Sequence, residues 1–431
     1  AMRIVDLTLG ANKGDYLLPG SLYPSKVTDG KKMRLSQPRI LVNGAAKLAQ
    51  RKLDGRLSLR SAALTVDAVG IVDLGASAFD DLRLDLRLLK PPALFPNMTG
   101  TDVRAKLRFD GPFKTARFDY LLTAPRVAFD DTGFEQVRAE GRGRLSDAPI
   151  NVPIKLSAAR VTGVGDVAGG ILANLRVEGL LKLTAKALTG DGLAVRSDKL
   201  NGKLSLFVDL ITGRYDVGLT GGLTSYLIPG LGVVDVRTEL KVVPGPGGRG
   251  TMVAGGGQAW VRRFDNAFLA SLAGGLPYID TRLERGPDRV LHLKDLKLTA
   301  PGISLTGNGY RRVDGTFYFE GGGRQQQYGP VRLTLDGQID RPKLDIFLPR
   351  PMDALGLADV RLLLDPTAEG FVYRAGGGST LGPFTSNGAI LLPSGQPAVI
   401  RVAELAVSGT NARGSLRSDP GGFTGRLDLS D

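Results

Sequence analysis

Few residues in this 431-residue chain have the type and spacing that chemistry needs. His292 is the single histidine, so a histidine-based triad or a multi-imidazole metal centre has too few members. It sits between Leu291 and Leu293 in an alternating stretch, which is an ordinary strand position. Cysteine is absent, which removes thiolate nucleophiles, thiolate metal sites and disulfides together. No Gly-x-Ser-x-Gly elbow occurs, and neither Gly30-Lys31 nor Gly202-Lys203 is followed by the Ser or Thr of a phosphate loop. Asp80-Asp81 and Asp130-Asp131 supply paired carboxylates, as glycoside hydrolysis uses, but adjacent side chains on a strand point apart. They read as solvated turn acids. The expectation is a chain that is not an enzyme and holds no metal or cofactor, so its function lies in a surface.

Charge and composition narrow that surface. Fifty-six Lys and Arg against 43 Asp and Glu give a formal net charge of +13, which attracts anionic partners. The basic residues are scattered singly among apolar ones, as in Leu82-Arg83-Leu84-Asp85-Leu86-Arg87-Leu88, and no basic block resembles a nucleic-acid arm. No nucleic-acid partner is expected. Glycine stands at 59 and proline at 25 while aromatics make up 6%, a composition rich in turn-formers and poor in large core side chains. No run of ~18 apolar residues and no basic-then-apolar leader is found. The opening Ala1-Met2 reads as an added junction, so a piece of a longer protein is expected, with any anchor outside these residues.

Period-two alternation recurs from end to end, and side chains on a strand face opposite ways at that period. Leu82, Leu84 and Leu86; Leu107 and Phe109; Leu183; Leu204, Leu206 and Val208; Leu219; Leu293; Phe317 and Phe319; Leu333 and Leu335; and Ile346 mark one apolar face. These are the candidate groove-lining residues. Breakers punctuate them at Asp110-Gly111-Pro112, Thr189-Gly190-Asp191-Gly192, Thr212-Gly213, Asp314-Gly315, Asp336-Gly337 and Pro393-Ser394-Gly395, the chemistry of tight hairpin turns. Two stretches read as helical. In 258–272, Trp260, Val261, Phe264, Phe268, Leu269 and Leu272 recur at three and four, and 44–52 is a weaker candidate. The Pro/Gly-rich 244–250 and Gly255-Gly256-Gly257 place the main boundary near residue 250, dividing segments 1–250 and 251–431.

Internal similarity ties the hairpins together. Residues 107–119 match 333–345 without a gap, sharing Leu, Asp-Gly and a terminal Asp, with Phe109 against Leu335, Arg117 against Lys343 and Phe118 against Leu344. Val290–Phe317 echoes Val399–Phe423 through Leu293/Val402, Leu296/Leu405 and Leu298/Val407. Repeated hairpins that cannot bury their own apolar face must stack on neighbours. The expected fold is all-β: an elongated, curled, mainly antiparallel sheet forming a repeating, solenoid-like hydrophobic groove, with one or two short amphipathic helices. Some 25 strands at ~4.8 Å would run on the order of 100 Å. Such a face must curl on itself or hold an apolar guest.

The repeats, together with Gly307-Asn308-Gly309-Tyr310-Arg311-Arg312-Val313-Asp314-Gly315, Gln327-Tyr328-Gly329-Pro330-Val331 and Ser418-Asp419-Pro420-Gly421-Gly422-Phe423, resemble the TamB branch of the AsmA-like bridge-type lipid transfer proteins. The likeness is clearest over residues 100–431, and this chain would be an internal or C-terminal piece. It implies a periplasmic β-groove, tethered to the inner membrane by an N-terminal anchor not present here. It also implies transport of phospholipid, through its acyl chains, between inner and outer membranes. The alternative it carries is a scaffold for outer-membrane β-barrel assembly with a TamA-like barrel partner, through edge-strand pairing. A third reading of the residues, a stalk or adhesin whose apolar face is a closed dry core, stays open.

Overall fold

In a computed structural model the chain is all-β, 74% strand and 3% helix. The structure describes residues 34–36, 39–163, 172–228, 231–246, 250–265, 270, 272–339, 341–352, 356–393, 396–419 and 422–430, and the backbone of short strands at 2–5, 10–12, 15–17 and 20–24. It divides into two compact units, the first formed by 1–221 and 240–252, the second by 222–239 and 253–431. Each is a curled antiparallel sheet.

In the first unit, strands Ile40–Ala49, Lys52–Arg60, Leu64–Asp73, Ala78–Leu88, Val103–Pro112, Arg117–Phe129 and Thr132–Arg144 pair in sequence order. The meander goes on through Ile150–Ala158, Leu175–Leu183, Ala187–Arg196 and Leu200–Asp209. Alternation becomes burial directly. Along Val103–Pro112 the even-numbered Arg104, Lys106, Arg108 and Asp110 are exposed, while Ala105, Leu107 and Phe109 are half-buried and Val103 is buried. In the second unit the ladder runs from residue 253 of strand Thr251–Phe264 through Tyr278–Arg285 to Gly422–Ser430, each strand again pairing with the next.

The internal repeats are structural repeats. Phe109 stands opposite Phe118 and Asp110 opposite Arg117; at the matching positions Leu335 faces Leu344 and Asp336 faces Lys343. The second echo preserves a defect as well as a register. The ladder slips between Leu293 and Leu296 and, at the equivalent place, between Val402 and Leu405. A β-bulge adds one residue and turns the strand, and its recurrence at matched positions marks it as a feature of the repeat.

Several expectations are corrected. Residues 258–264 complete the strand Thr251–Phe264, with Gln258, Ala259 and Trp260 opposite Asp280, Ile279 and Tyr278. The three-and-four spacing there loses to the ladder: Trp260 packs on the Tyr278 ring at 5.4 Å, and Arg237 lies over its indole. Residues 266–269 and 271 lie outside the described set, and helix is found at 270, 272 and 273. The 44–52 stretch is the end of strand Ile40–Ala49, a turn at Gln50 and Arg51 with φ of 51° and 62°, and the start of the next strand. A short helix forms instead at Pro91–Leu94, where Pro91 opens the first turn, the position at which proline costs no hydrogen bond.

Three presumed breakers lie inside strands. Asp110-Gly111-Pro112 and Asp336-Gly337 end strands Val103–Pro112 and Gly329–Gln338, and Thr189–Gly192 is absorbed as a bulge in Ala187–Arg196. Thr212-Gly213 and Asp314-Gly315 are turns, whereas Ser394 and Gly395 lie outside the described residues. Asp80-Asp81 is likewise no turn: it is a bulge in Ala78–Leu88, with Asp81 at φ 52°. Asp130-Asp131 does form the turn between Arg117–Phe129 and Thr132–Arg144.

Close strand contact leaves two glycines no alternative. A Cβ on Gly141 would lie 1.9 Å from the Pro153 carbonyl oxygen, and one on Gly388 the same 1.9 Å from that of Arg401. The rings of Tyr120 and Tyr373 lie against these glycines. Gly141→Val and Gly388→Val are expected to lower stability by ~2–4 kcal/mol in chemical denaturation, through backbone displacement. Gly256→Val, where a Cβ meets nothing within 4 Å, should change it by less than ~0.5 kcal/mol.

Candidate functional site

Following the register across strands shows what the apolar side chains build. In the first unit one unbroken row runs Leu59, Val66, Leu86, Ala105, Leu122, Ala139, Leu156, Val177 and Val195, ending at Gly202. Beside it run Ala68, Leu84, Leu107 and Tyr120, and then Leu82, Phe109 and Phe118. In the second unit a row crosses twelve strands: Leu283, Leu293, Gly309, Phe319, Leu335, Leu344, Leu364, Tyr373, Gly388, Val402, Gly414 and Leu427. A parallel row holds Gly321, Leu333, Ile346, Leu362 and Ala375.

The candidate residues therefore share a face within their own unit. Leu82, Leu84, Leu86, Leu107 and Phe109 lie on the first unit's rows, as do Leu204 against Leu193, Leu206 against Gly190, and Val208 against Leu188, which also faces Leu183. Leu219 packs on the same cluster. Leu293, Phe319, Leu333, Leu335 and Ile346 occupy the second unit's rows, and Phe317, opposite Gly337, lies two residues from Phe319 on the same side. Of the sixteen, Leu333 and Ile346 are buried and the other fourteen are half-buried.

Burial is uneven along that face. In the first unit Leu88, Met98, Val103, Ala124, Val127 and Val137 close into a dense cluster with Leu175, Leu193 and Val195. The helix Pro91–Leu94 and the Phe95 and Phe129 rings, 6.3 Å apart, pack against that end. Toward the other strand ends the face is looser and aromatic. Phe79 lies 4.7 Å from Phe113 and 5.8 Å from Phe109, and Phe109 reaches Phe118. Sequence reasoning missed Phe79 and Phe113. The Asp81 bulge shifts the phase of Ala78–Leu88, so that Phe79 and Leu82, three apart, serve one face. The doublet that looked like candidate chemistry was the signal.

A polar clasp closes the dense end. Asn97 Nδ2 and the Tyr215 hydroxyl both donate to Asp130 Oδ2, each at 3.1 Å, and the Tyr215 hydroxyl lies 3.1 Å from Thr251 Oγ1. Thr251 is buried. Desolvation pushes the Tyr215 phenol up to about 12; the Thr251 hydrogen bond opposes this and the Asp130 charge adds to it. Tyr120 donates to the Pro153 carbonyl at 2.9 Å, and burial, with Glu140 nearby, pushes it also to about 12.

The opposite face is charged. Ion pairs cross its strands, including Arg87 on Asp102 and Arg142 on Asp119, the latter at 3.0 Å. Asp81 accepts from both Arg83 and Arg108, and these contacts hold its carboxyl below the usual range. Exposed pairs of this sort are worth ~0.2–1 kcal/mol each, so their main effect is to keep this face in water. Each unit has a concavity on this side, ≈ 1110 Å³ in the first and ≈ 1240 Å³ in the second, lined chiefly by charged side chains. Among the described residues no group of three or more His, Asp or Glu could hold a metal ion, and no helix is long and apolar enough to cross a membrane.

Comparison with known proteins finds no matching family model, curated sequence or solved structure.

The two raised phenols set an alkaline limit. Each tyrosine binds its proton more tightly in the folded chain than near pH 10, where an unfolded phenol ionises, so the stability it contributes is full below pH 10 and falls as pH rises towards 12. A melting-temperature series from pH 9 to 12 should show this decline. The double variant Tyr120→Phe/Tyr215→Phe should start less stable and lose less over the same interval; an unchanged slope would refute the assignment.

Proposed function

We propose that the apolar face of each unit is a lipid-holding surface and that the protein moves phospholipid by contact with its acyl chains. The observation that carries this reading is the uninterrupted apolar row, nine side chains long in the first unit, with fourteen of the sixteen lining candidates left half-buried. A sheet closed on a dry core buries such residues outright, as Leu364 and Phe371 are buried in the second unit at 1% exposure. Partial burial from Leu59 through Leu122 leaves hydrocarbon surface that a guest chain would cover, while Ala139, Val177 and Val195 toward the other end of the row are buried. Strands of nine or ten residues give the strip a width of ~30 Å.

The charged outer face fits the same reading. Its cross-strand ion pairs keep one side of a single-layer sheet soluble while the other stays apolar. Headgroups would remain at the strand ends, in water, while tails lie along the rows. The setting that accompanies this function, the periplasm between an inner-membrane tether and the outer membrane, rests on the family resemblance of the repeats.

Phospholipid should copurify with gently isolated protein and be seen by mass spectrometry of the intact complex. Leu206→Arg and Leu335→Arg put a charge among acyl chains at a cost of ~2–4 kcal/mol, and should slow transfer between vesicles at least ~30-fold. Phe207→Arg, on the neighbouring outward-facing position, should leave it within ~2-fold. Transfer that survives both inward substitutions in folded protein would rule the reading out.

A further inference from the structure

The charged face of the second unit carries rings where its alternation calls for polar residues. His292, Tyr310 and Tyr318 stand in one cross-strand row, with ring centres 6.2 Å apart for His292 and Tyr310 and 5.0 Å for Tyr310 and Tyr318, the latter pair nearly parallel at 16°. Phe347 breaks the pattern of its strand. Leu344 and Ile346 are buried on the apolar side, whereas Phe347 joins the charged side, with Arg332 over its ring at 5.7 Å. All four rings line the ≈ 1240 Å³ concavity. In the first unit's concavity the one aromatic lining residue is Tyr120, a member of the apolar rows.

Between the two aromatic ends the floor is polar. Tyr318 and Phe347 are two strands and about four residues apart, or ~16 Å. Thr334 lies midway between them, with Glu320 and Asp345 on either side, and Gly322 and Arg332 stand in the row that ends at Phe347. The lining charges balance, with Arg282, Lys294, Arg332 and Arg361 against Asp295, Glu320, Asp345 and Asp359. Several are already paired: Arg282 with Asp295, and Arg361 with Asp345 through Nε at 3.0 Å. Despite the +13 of the whole chain, this cleft offers no net charge to a polyanion. Its flanking strands are paired on both sides, which leaves no edge for an added peptide strand.

We propose that this cleft binds a short neutral oligosaccharide. The rings at each end offer C–H surface to sugar rings, with Arg312 over Tyr310 and Arg332 over Phe347 as neighbouring donors, and the guanidinium and carboxylate groups offer donors and acceptors to hydroxyls around Thr334. The inference is independent of what the apolar face holds. The test is calorimetric titration of the whole chain with maltohexaose, cellohexaose and chitohexaose. At least one should bind, with an affinity that stays within ~2-fold between 50 and 500 mM salt, as for an uncharged ligand. Tyr318→Ala, and Phe347→Leu, which keeps apolar bulk without a ring, should each weaken it about tenfold. Lys106→Ala, in the other concavity, should have no effect. Far-UV circular dichroism and melting identify variants that fail to fold, and Phe347→Leu is chosen to survive. No binding by any of the three at millimolar concentration, unchanged affinity in folded Tyr318→Ala and Phe347→Leu, or displacement of bound sugar by a polyanion such as heparin, would overturn the proposal.

Discussion

A single layer of amphipathic strands must take one of its faces out of water, and that constraint governs both units. Ten strands at ~4.8 Å spacing and ~30 Å width expose roughly 1,400 Å² of mostly apolar surface, some ~35 kcal/mol at ~25 cal/mol per Å². That exceeds the net stability of an ordinary domain. Curling and side-chain clustering recover part of it at the dense end around Leu88, Val103 and Val195. The half-buried rows around Leu84, Leu107 and Leu206 are what remains. Bulges, close-packed glycines and terminal clasps follow from the need to curl without breaking the ladder.

The outer face answers the complementary problem. Ion pairs laid across neighbouring strands, such as Arg60 with Asp67 and Arg361 with Asp345, fix little energy individually. Together they deny this face an apolar partner and leave the sheet two-sided in chemistry as well as geometry. Aspartates held at positive φ, including Asp81 and Asp295, do both jobs: they shape a bulge and take an arginine partner.

Much of this was legible in the residues. Period-two alternation gave the all-β class and one apolar face, and the gapless likeness of 107–119 to 333–345 anticipated one shared hairpin register. Strand segments here tolerate Gly and Asp, through a bulge at Thr189–Gly192 and in regular register at Asp336-Gly337, so both read as turns although the ladder passes through. The 258–272 spacing read as helix because its apolar recurrence suits that period, whereas over 258–264 pairing with Tyr278–Arg285 decides for strand. The aromatic end of the first unit was invisible, since Phe79 falls out of phase with Leu82 until the Asp81 bulge is known. The rings of the outer cleft were equally hidden, being separated in sequence and joined by register.

The central claim is that one face of the sheet meets lipid and the other does not, and Leu206 and Phe207 separate the two within a single peptide unit. Leu206 is half-buried on the apolar row opposite Gly190, and Phe207 is 46% exposed on the other side. A photo-crosslinking amino acid placed at each position in turn, in cells grown with labelled phospholipid precursor, measures this directly. The account predicts a lipid adduct from position 206 and none from 207. Equal labelling at both, or none at 206 in folded protein, would contradict it.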